Sequence, residues 1–271
     1  MSETATPAAP QPSVRHTPGT FCWWELATTD LARSKAFYGA LFGWTTNEMP
    51  IDETQVYVMF QSDGKDVGAA YGLTPEMQAQ GVTPHWGVYL ATDDADAATE
   101  RARSLGAKVL VEPCDVFEAG RMAALQDPTG GAFSLWEPKS HPGAAKVNAL
   151  NAVCWNELAT DDPVAAATFY AGLFDYTTET HDMGHGPYTI FLGEGALKGG
   201  LFRKDASMGE IPTHWMTYFS VADCDADTER AKALGAGVIV PPTDIPTVGR
   251  FSVLRDPTGA VFAIITMTAQ G

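Results

Sequence analysis

The sequence lacks most of the features that narrow a protein's class at once. It has four cysteines in 271 residues, and Cys22, Cys114, Cys154 and Cys224 show neither zinc-finger nor redox spacing. A disulfide scaffold is therefore excluded, and a reducing, cytoplasmic setting is expected. Basic residues are scarce: 17 Lys and Arg stand against 33 Asp and Glu, a net charge of −16. A surface that acidic repels phosphate backbones, so no nucleic-acid partner is expected. No apolar run approaches the roughly 20 residues of a membrane span, so no membrane partner is expected either. The N-terminus has no cationic start followed by an apolar stretch, and no secretory signal is read there. A Gly-rich phosphate loop and a nucleophile elbow are also missing, which removes the usual nucleotide-binding and serine-hydrolase readings.

What is present is apolar content (45% hydrophobic, 10% aromatic) and repetition. Residues 1–18, rich in Pro, Ala and Thr and without apolar period, read as a disordered tail. Beyond it, CWWELAT at 22–28 returns as CWNELAT at 154–160, and Phe37-Tyr38-x-x-Leu41-Phe42 returns as Phe169-Tyr170-x-x-Leu173-Phe174. His85-Trp86 and His214-Trp215, TERA at 99–102 and 228–231, and DPTG at 127–130 and 256–259 follow in the same order. Such ordered recurrence defines a duplication. The domains are 19–137 and 150–268, with 138–149 as linker. HDMGHGP at 181–187 has no counterpart in the first copy, and its His181 and His185 read as solvated loop histidines.

A fainter symmetry lies inside each copy. Short alternating strands lead into Asp30, Asp94, Asp162 and Asp223, each a suitable helix N-cap, and apolar residues at spacings of three and four follow Asp30. Turn-rich strands follow every helix. The fold class is therefore α+β: each domain comprises two βαβββ modules forming a curved, cup-shaped mixed sheet with helices outside. Strand alternation sends Cys22, Trp24, Leu26, Trp86, Val88 and Leu90 toward the helices. It sends Phe21, Trp23, Glu25, Ala27, His85, Gly87 and Tyr89 to the concave face, together with Trp155, Glu157, His214, Met216 and Tyr218 of the second copy.

This pattern, strand–Asp–helix–Phe-Tyr-x-x-Leu-Phe followed by Gly-Arg and Asp-Pro-Thr-Gly, resembles the vicinal oxygen chelate superfamily, which groups glyoxalases, bleomycin-resistance proteins and dioxygenases. The doubled form resembles actinobacterial tandem proteins of glyoxalase-like type. The resemblance implies a metal ligand seven residues before each helix-opening Asp and another after the DPTG turn. Those positions hold Trp23, Gly87, Trp155 and Met216, then Ser134 and Ala263, none of which suits a hard divalent cation. No cofactor is therefore expected, and metal-dependent lyase or dioxygenase chemistry would need a non-standard Glu/His site.

Glu25 with His85, and Glu157 with His214, are the candidate acid–base groups, since a buried carboxyl or an imidazole on adjacent strands can move a proton near neutral pH. The alternative is a hydrogen-bonded network that fixes the seam between modules. Trp23, Tyr89, Trp155 and Tyr218 are candidate walls for a planar ligand. Arg121 and Arg250 could hold an anionic group or serve surface salt bridges. Two classes stay open: a metal-independent enzyme acting on a small carbonyl-bearing or aromatic molecule, and a non-catalytic protein that sequesters such a compound. The partner expected is a small molecule, and the chain is expected as a monomer or homodimer.

Overall fold

The computed structural model describes residues 15–52, 55–182, 186–205 and 208–268. Most of the expected tail, residues 1–14, lies outside the described residues, as does His185. His16, within the same segment, is buried, with Nε2 hydrogen-bonded to the Ala144 carbonyl at 3.0 Å.

The chain forms two sheets of eight strands. The first half runs β1 (Phe21–Thr28), α1 (Leu31–Phe42), β2 (Thr45–Pro50), β3 (Val56–Ser62), β4 (Lys65–Gly72), a short α2 (Pro75–Ala79), β5 (His85–Ala91), α3 (Ala95–Ser104), β6 (Lys108–Val116), β7 (Gly120–Gln126) and β8 (Ala132–Pro138). The second half repeats it as β9 (Val153–Thr160), α4 (Pro163–Phe174), β10 (Thr177–Asp182), β11 (Pro187–Gly193), β12 (Ala196–Arg203), β13 (His214–Ser220), α5 (Cys224–Ala233), β14 (Gly237–Ile245), β15 (Gly249–Arg255) and β16 (Val261–Met267). The spatial order β2-β3-β4-β1-β5-β8-β7-β6 places the two opening strands at the centre, antiparallel to one another, and the second sheet repeats the order. Two βαβββ modules thus meet edge to edge in each half. The helix α2 has no counterpart among the expected elements.

Each main helix starts as its N-cap dictates. The carboxylates of Asp30, Asp94, Asp162 and Asp223 accept from the amides of Arg33, Ala97, Ala165 and Ala226, at 2.8–3.0 Å. At the far end of α1, Gly43 takes the left-handed conformation (φ 71°) that stops the helix. The second copy puts Asp175 there (φ 57°), one of the few residue types that tolerate it, and Arg101 holds its carboxylate.

The helix-bearing faces of the two sheets are turned toward each other and share one apolar cluster. Phe42 lies 5.1 Å from Phe219, Trp86 lies 5.2 Å from Phe219, and Tyr38 lies 5.6 Å from Phe262. Each helix therefore lies outside its cup, with its apolar side packed into the seam between the two sheets. Polar bonds stitch this seam with twofold symmetry. Tyr38 donates to Asp256 Oδ2 at 2.9 Å, and Tyr170 donates to Asp127 Oδ2 at 2.9 Å. Trp86 and Trp215 in turn donate to these tyrosine oxygens, both at 2.9 Å. The second oxygen of each aspartate accepts from the backbone of its own DPTG turn, at Thr129 and Gly131 or at Thr258, Gly259 and Ala260. At the centre, Trp24 donates to Asn156 Oδ1 at 2.9 Å.

One face assignment needs correction. A bulge between Phe21 and Trp23 breaks the alternation, and Phe21 packs edge-on against Trp215 at 5.0 Å, in the seam rather than on the concave face. The seam makes a stability prediction. In Y170F the buried Asp127 Oδ2 and the Trp215 N–H both lose their partner. A loss of about 2–4 kcal/mol is expected, since leaving buried polar groups unpaired costs more than a hydrogen bond adds. Urea unfolding checks it, with Y38F expected to match.

Candidate functional site

The concave face of the first sheet is built on the central pair. Glu25 of β1 stands opposite Gly87 of β5 and beside Ala69 of β4. Its carboxylate is partly buried and wholly engaged: Tyr57 donates to Oε1 and Tyr89 to Oε2, both at 2.5 Å. Trp23 Nε1 donates to the Tyr57 oxygen at 2.9 Å. The second sheet repeats the cluster. Tyr188 donates to Glu157 Oε2 at 3.1 Å, Tyr218 donates to Oε1, and Trp155 donates to Tyr188 at 2.7 Å. The expected Glu25, Tyr89 and Trp23, and their copies Glu157, Tyr218 and Trp155, are thus brought together. Tyr57 and Tyr188, which complete each cluster, escaped the sequence reading. The recurrence of Tyr-x-x-Phe at 57–60 and 188–191 is the signal that could have found them.

Burial is the largest influence on Glu25 and raises it above the usual carboxylate range, against the opposing pull of the tyrosine and tryptophan hydrogen bonds. Glu157 is raised for the same reason. Burial, with the neighbouring carboxylate, also pushes the four tyrosine hydroxyls up. The hydrogen count follows from these states. An ionised Glu25 consumes both tyrosine protons, leaving no donor for a ligand. A protonated Glu25 supplies a third proton for the same two bonds, which frees one donor for a ligand oxygen.

His85 and His214 do not bond the glutamates. His85 Nδ1 lies 2.8 Å from the Thr83 carbonyl, and His214 Nδ1 lies 3.0 Å from the Pro212 carbonyl. A carbonyl accepts only from N–H, so Nδ1 carries the proton in the neutral ring and Nε2 presents its lone pair. A methyl group placed on Gly87 would lie 4.0 Å from His85 Nε2 and 3.6 Å from the Glu25 carbonyl oxygen, with nothing closer. His85 Nε2 therefore borders the open floor opposite Glu25. Burial lowers the His214 imidazole, and Lys204 adds to the effect.

Arg121 and Arg250 lie on the helix-bearing faces. Arg121 grips Asp96 of α3 at 2.7 and 2.9 Å and also reaches Asp115. Arg250 grips Asp225 of α5 at 2.6 and 3.0 Å and reaches Asp244. Both guanidiniums are occupied by carboxylates, so neither enters the site built above. His181 is exposed and pairs with Glu179 at 3.6 Å. A linker residue unmarked by the sequence reading, His141, packs edge-on against Trp23 at a centroid distance of 4.5 Å. Its Nε2 is the one buried side-chain nitrogen or oxygen without a hydrogen-bond partner among the described residues.

Comparison with known proteins places the two halves in one family. Residues 20–135 match the profile of the Glyoxalase/Bleomycin resistance protein/Dioxygenase superfamily, and residues 152–265 match the Glyoxalase-like domain. The chain belongs to this superfamily. CFP32 of Mycobacterium tuberculosis, provisionally named a glyoxylase, is 39% identical over 254 residues, covering 93% of this chain and 96% of the relative. The anthracycline biosynthesis protein DauV of Streptomyces sp. strain C5 is 36% identical over 266 residues, covering 93% and 95%. Among solved structures, the Mn(II)-bound glyoxalase of Novosphingobium aromaticivorans superposes with a TM-score of 0.63 at 13% identity, covering 92% of this chain and 82% of that one. An extradiol ring-cleaving dioxygenase from B. fuscum gives 0.63 at 17%, covering 95% and 74%. At such identities the structures share the fold alone.

Metal-binding relatives raise the question whether these cups suit a cation. The positions where the superfamily resemblance implies ligands carry an indole, a glycine, a thioether and a hydroxymethyl group, and the glutamate beside them is held by two phenols. A cup built so does not fit the superfamily's metal set. Among the described residues, Asp94, Asp96 and Glu137 are the one acidic or imidazole grouping of three within reach of a single ion. It lies at the start of α3, where Asp94 caps the helix, Glu137 accepts from the Ala95 amide and Asp96 holds Arg121. Among the described residues, no helix is long and apolar enough to cross a membrane.

The raised carboxyls predict a pH dependence. A folded-state pKa above the unfolded one means that the folded protein keeps protons on Glu25 and Glu157 after the unfolded chain has released them. Stability from this source is full below the unfolded pKa and is lost as pH rises through the folded one. The double variant E25Q/E157Q lacks that loss. Unfolding both proteins from about pH 4 to 8 should show the wild-type stability, relative to the variant, greatest at the acid end and declining toward neutrality. Parallel profiles would show that the two carboxyls titrate normally.

Proposed function

We propose that this protein binds a small planar molecule, carbonyl-bearing or aromatic, on its concave sheet face and transforms it by acid–base chemistry without the superfamily's metal site. The observation that carries this reading is the buried glutamate under two tyrosine hydroxyls, beside an imidazole whose free Nε2 borders open floor. In the first cup, His85 Nε2 accepts a proton from the bound molecule, and the protonated Glu25 with Tyr57 and Tyr89 donates to its oxygen as negative charge develops. Trp23 and Trp136 are buried beneath the linker's His141 and back the cup with an apolar base. Glu157, His214 and Tyr218 hold the equivalent places in the second cup. The names of the curated relatives, a glyoxylase and a protein of anthracycline biosynthesis, support a carbonyl-bearing and a polycyclic aromatic ligand respectively.

A sequestering protein is the second reading, favoured by the complete hydrogen bonding of Glu25 within the protein. A satisfied carboxylate under aromatic walls can recognise a ring without moving a proton. The variants E25Q and H85N separate the two. The probes are the methylglyoxal–glutathione hemithioacetal and danthron, a dihydroxyanthraquinone, each followed for consumption by absorbance and for binding by tryptophan quenching. Under the enzyme reading, turnover falls about 10²- to 10⁴-fold in each variant, the usual worth of a positioned acid or base, while binding changes far less. Tight binding with no consumption, unaltered in both variants, establishes the sequestering role instead. Stoichiometric divalent metal in the purified, active protein would overturn the metal-independent part of the proposal and point to a non-standard site.

A further inference from the structure

The two cups share their polar cluster but differ at the floor. The residue opposite Glu25 is Gly87, whereas the residue opposite Glu157 is Met216. A Cβ added at Gly87 would meet nothing closer than the Glu25 carbonyl oxygen at 3.6 Å. Met216 instead packs with Trp155, Phe251 and Val261 against a buried cluster of Tyr218, Val253, Ala263 and Ile265 on the concave face of the second sheet. At the place that Gly87 leaves bare beside His85 in the first half, the second half puts the half-buried thioether of Met216. A second difference concerns the wall. The linker lays His141 edge-on against Trp23 of the first cup, with a buried Nε2 that no protein group satisfies. The chain's histidines include no counterpart of it in the second copy.

We infer that the chain carries one ligand site, in the first cup, and that Met216 plugs the second, so that Glu157, Tyr188 and Tyr218 serve there as a buried structural network. Gly87 is on this account the specificity-determining position, because its missing side chain is the room into which a flat ring slides between Glu25 and His85. The inference rests on the proposed reading of the cup as a binding face, and it predicts a stoichiometry that the duplicated sequence does not. With an equivalent pair of sites, two ligands would bind per chain.

The test uses the full chain, with danthron as probe and tryptophan quenching as readout. The wild type is expected to bind one equivalent, G87M to lose at least about tenfold in affinity, and M216G to gain a second equivalent. M216A controls for backbone loosening by glycine. Two equivalents in the wild type, or undiminished binding by G87M, would overturn the inference. Thermal unfolding without ligand decides the plug independently. G87M fills open space and is expected to keep the wild-type Tm to within a few degrees, whereas M216G is expected to lose about 5–10 °C through the cavity it creates. If no danthron binds to the wild type at saturation, the planar-ligand reading fails. The Tm pair then settles the asymmetry alone, and equal losses in the two variants would sink it.

Discussion

Everything in the molecule hangs on a carboxylate shared between two duties. In each DPTG turn the aspartate gives one oxygen to the backbone amides of its own loop and the other to the tyrosine of the opposite domain's first helix. The same buried group therefore shapes the turn that aligns the last strands of one sheet and anchors the helix that covers the other. A buried aspartate is tolerable because each of its oxygens is met by a donor, with an indole N–H behind the tyrosine completing the chain. The helix-bearing faces are consumed in this union. The concave faces are what remain to meet solvent and ligands, supported from behind by a continuous aromatic core.

That rigidity gives the glutamate clusters their character. A carboxyl flanked by two phenols on a stiff sheet cannot turn away to find water, so its environment decides its protonation, and its protonation decides how many donors the cup can offer. The two halves resolve this in different company. In the first, open floor and a tautomer-fixed imidazole sit beside the cluster. In the second, Met216 stands where the first has Gly87, beside a small aliphatic cluster. Duplication preserved the polar group in both, while a single floor residue separated their prospects.

Much of the architecture could be read from the sequence because it is written in local rules. The N-cap aspartates and the alternation that puts Glu25 and Tyr89 on one face depend on near neighbours along the chain or across one strand pair. What the sequence hid depends on distance in the fold. Tyr57 reaches Glu25 from a strand 32 residues away, and only the recurrence of its Tyr-x-x-Phe in the second copy marks it. The sequence shows Asp127 and Asp256 only as part of a repeated DPTG turn, because their second partner belongs to the other domain. Phe21 was misplaced by a bulge, a local insertion that no periodicity announces. Glu25 and His85 do share a face, yet the expectation of a direct pair overlooked the backbone carbonyl that ties the imidazole down two residues from its own position.

The one mismatch between CWWELAT and CWNELAT falls at the pseudo-twofold axis, where Trp24 meets its own copy, Asn156. A perfectly repeated chain would bring two indoles onto one spot, with neither able to accept the other's N–H. Replacing one by an amide removes the steric conflict and supplies the missing acceptor. The two halves have thereby become lock and key to one another, no longer interchangeable. Cut at the linker, they would be expected to reassemble as an unlike pair, each half refusing a partner of its own kind. A duplication that began as symmetry is now held together by its breach.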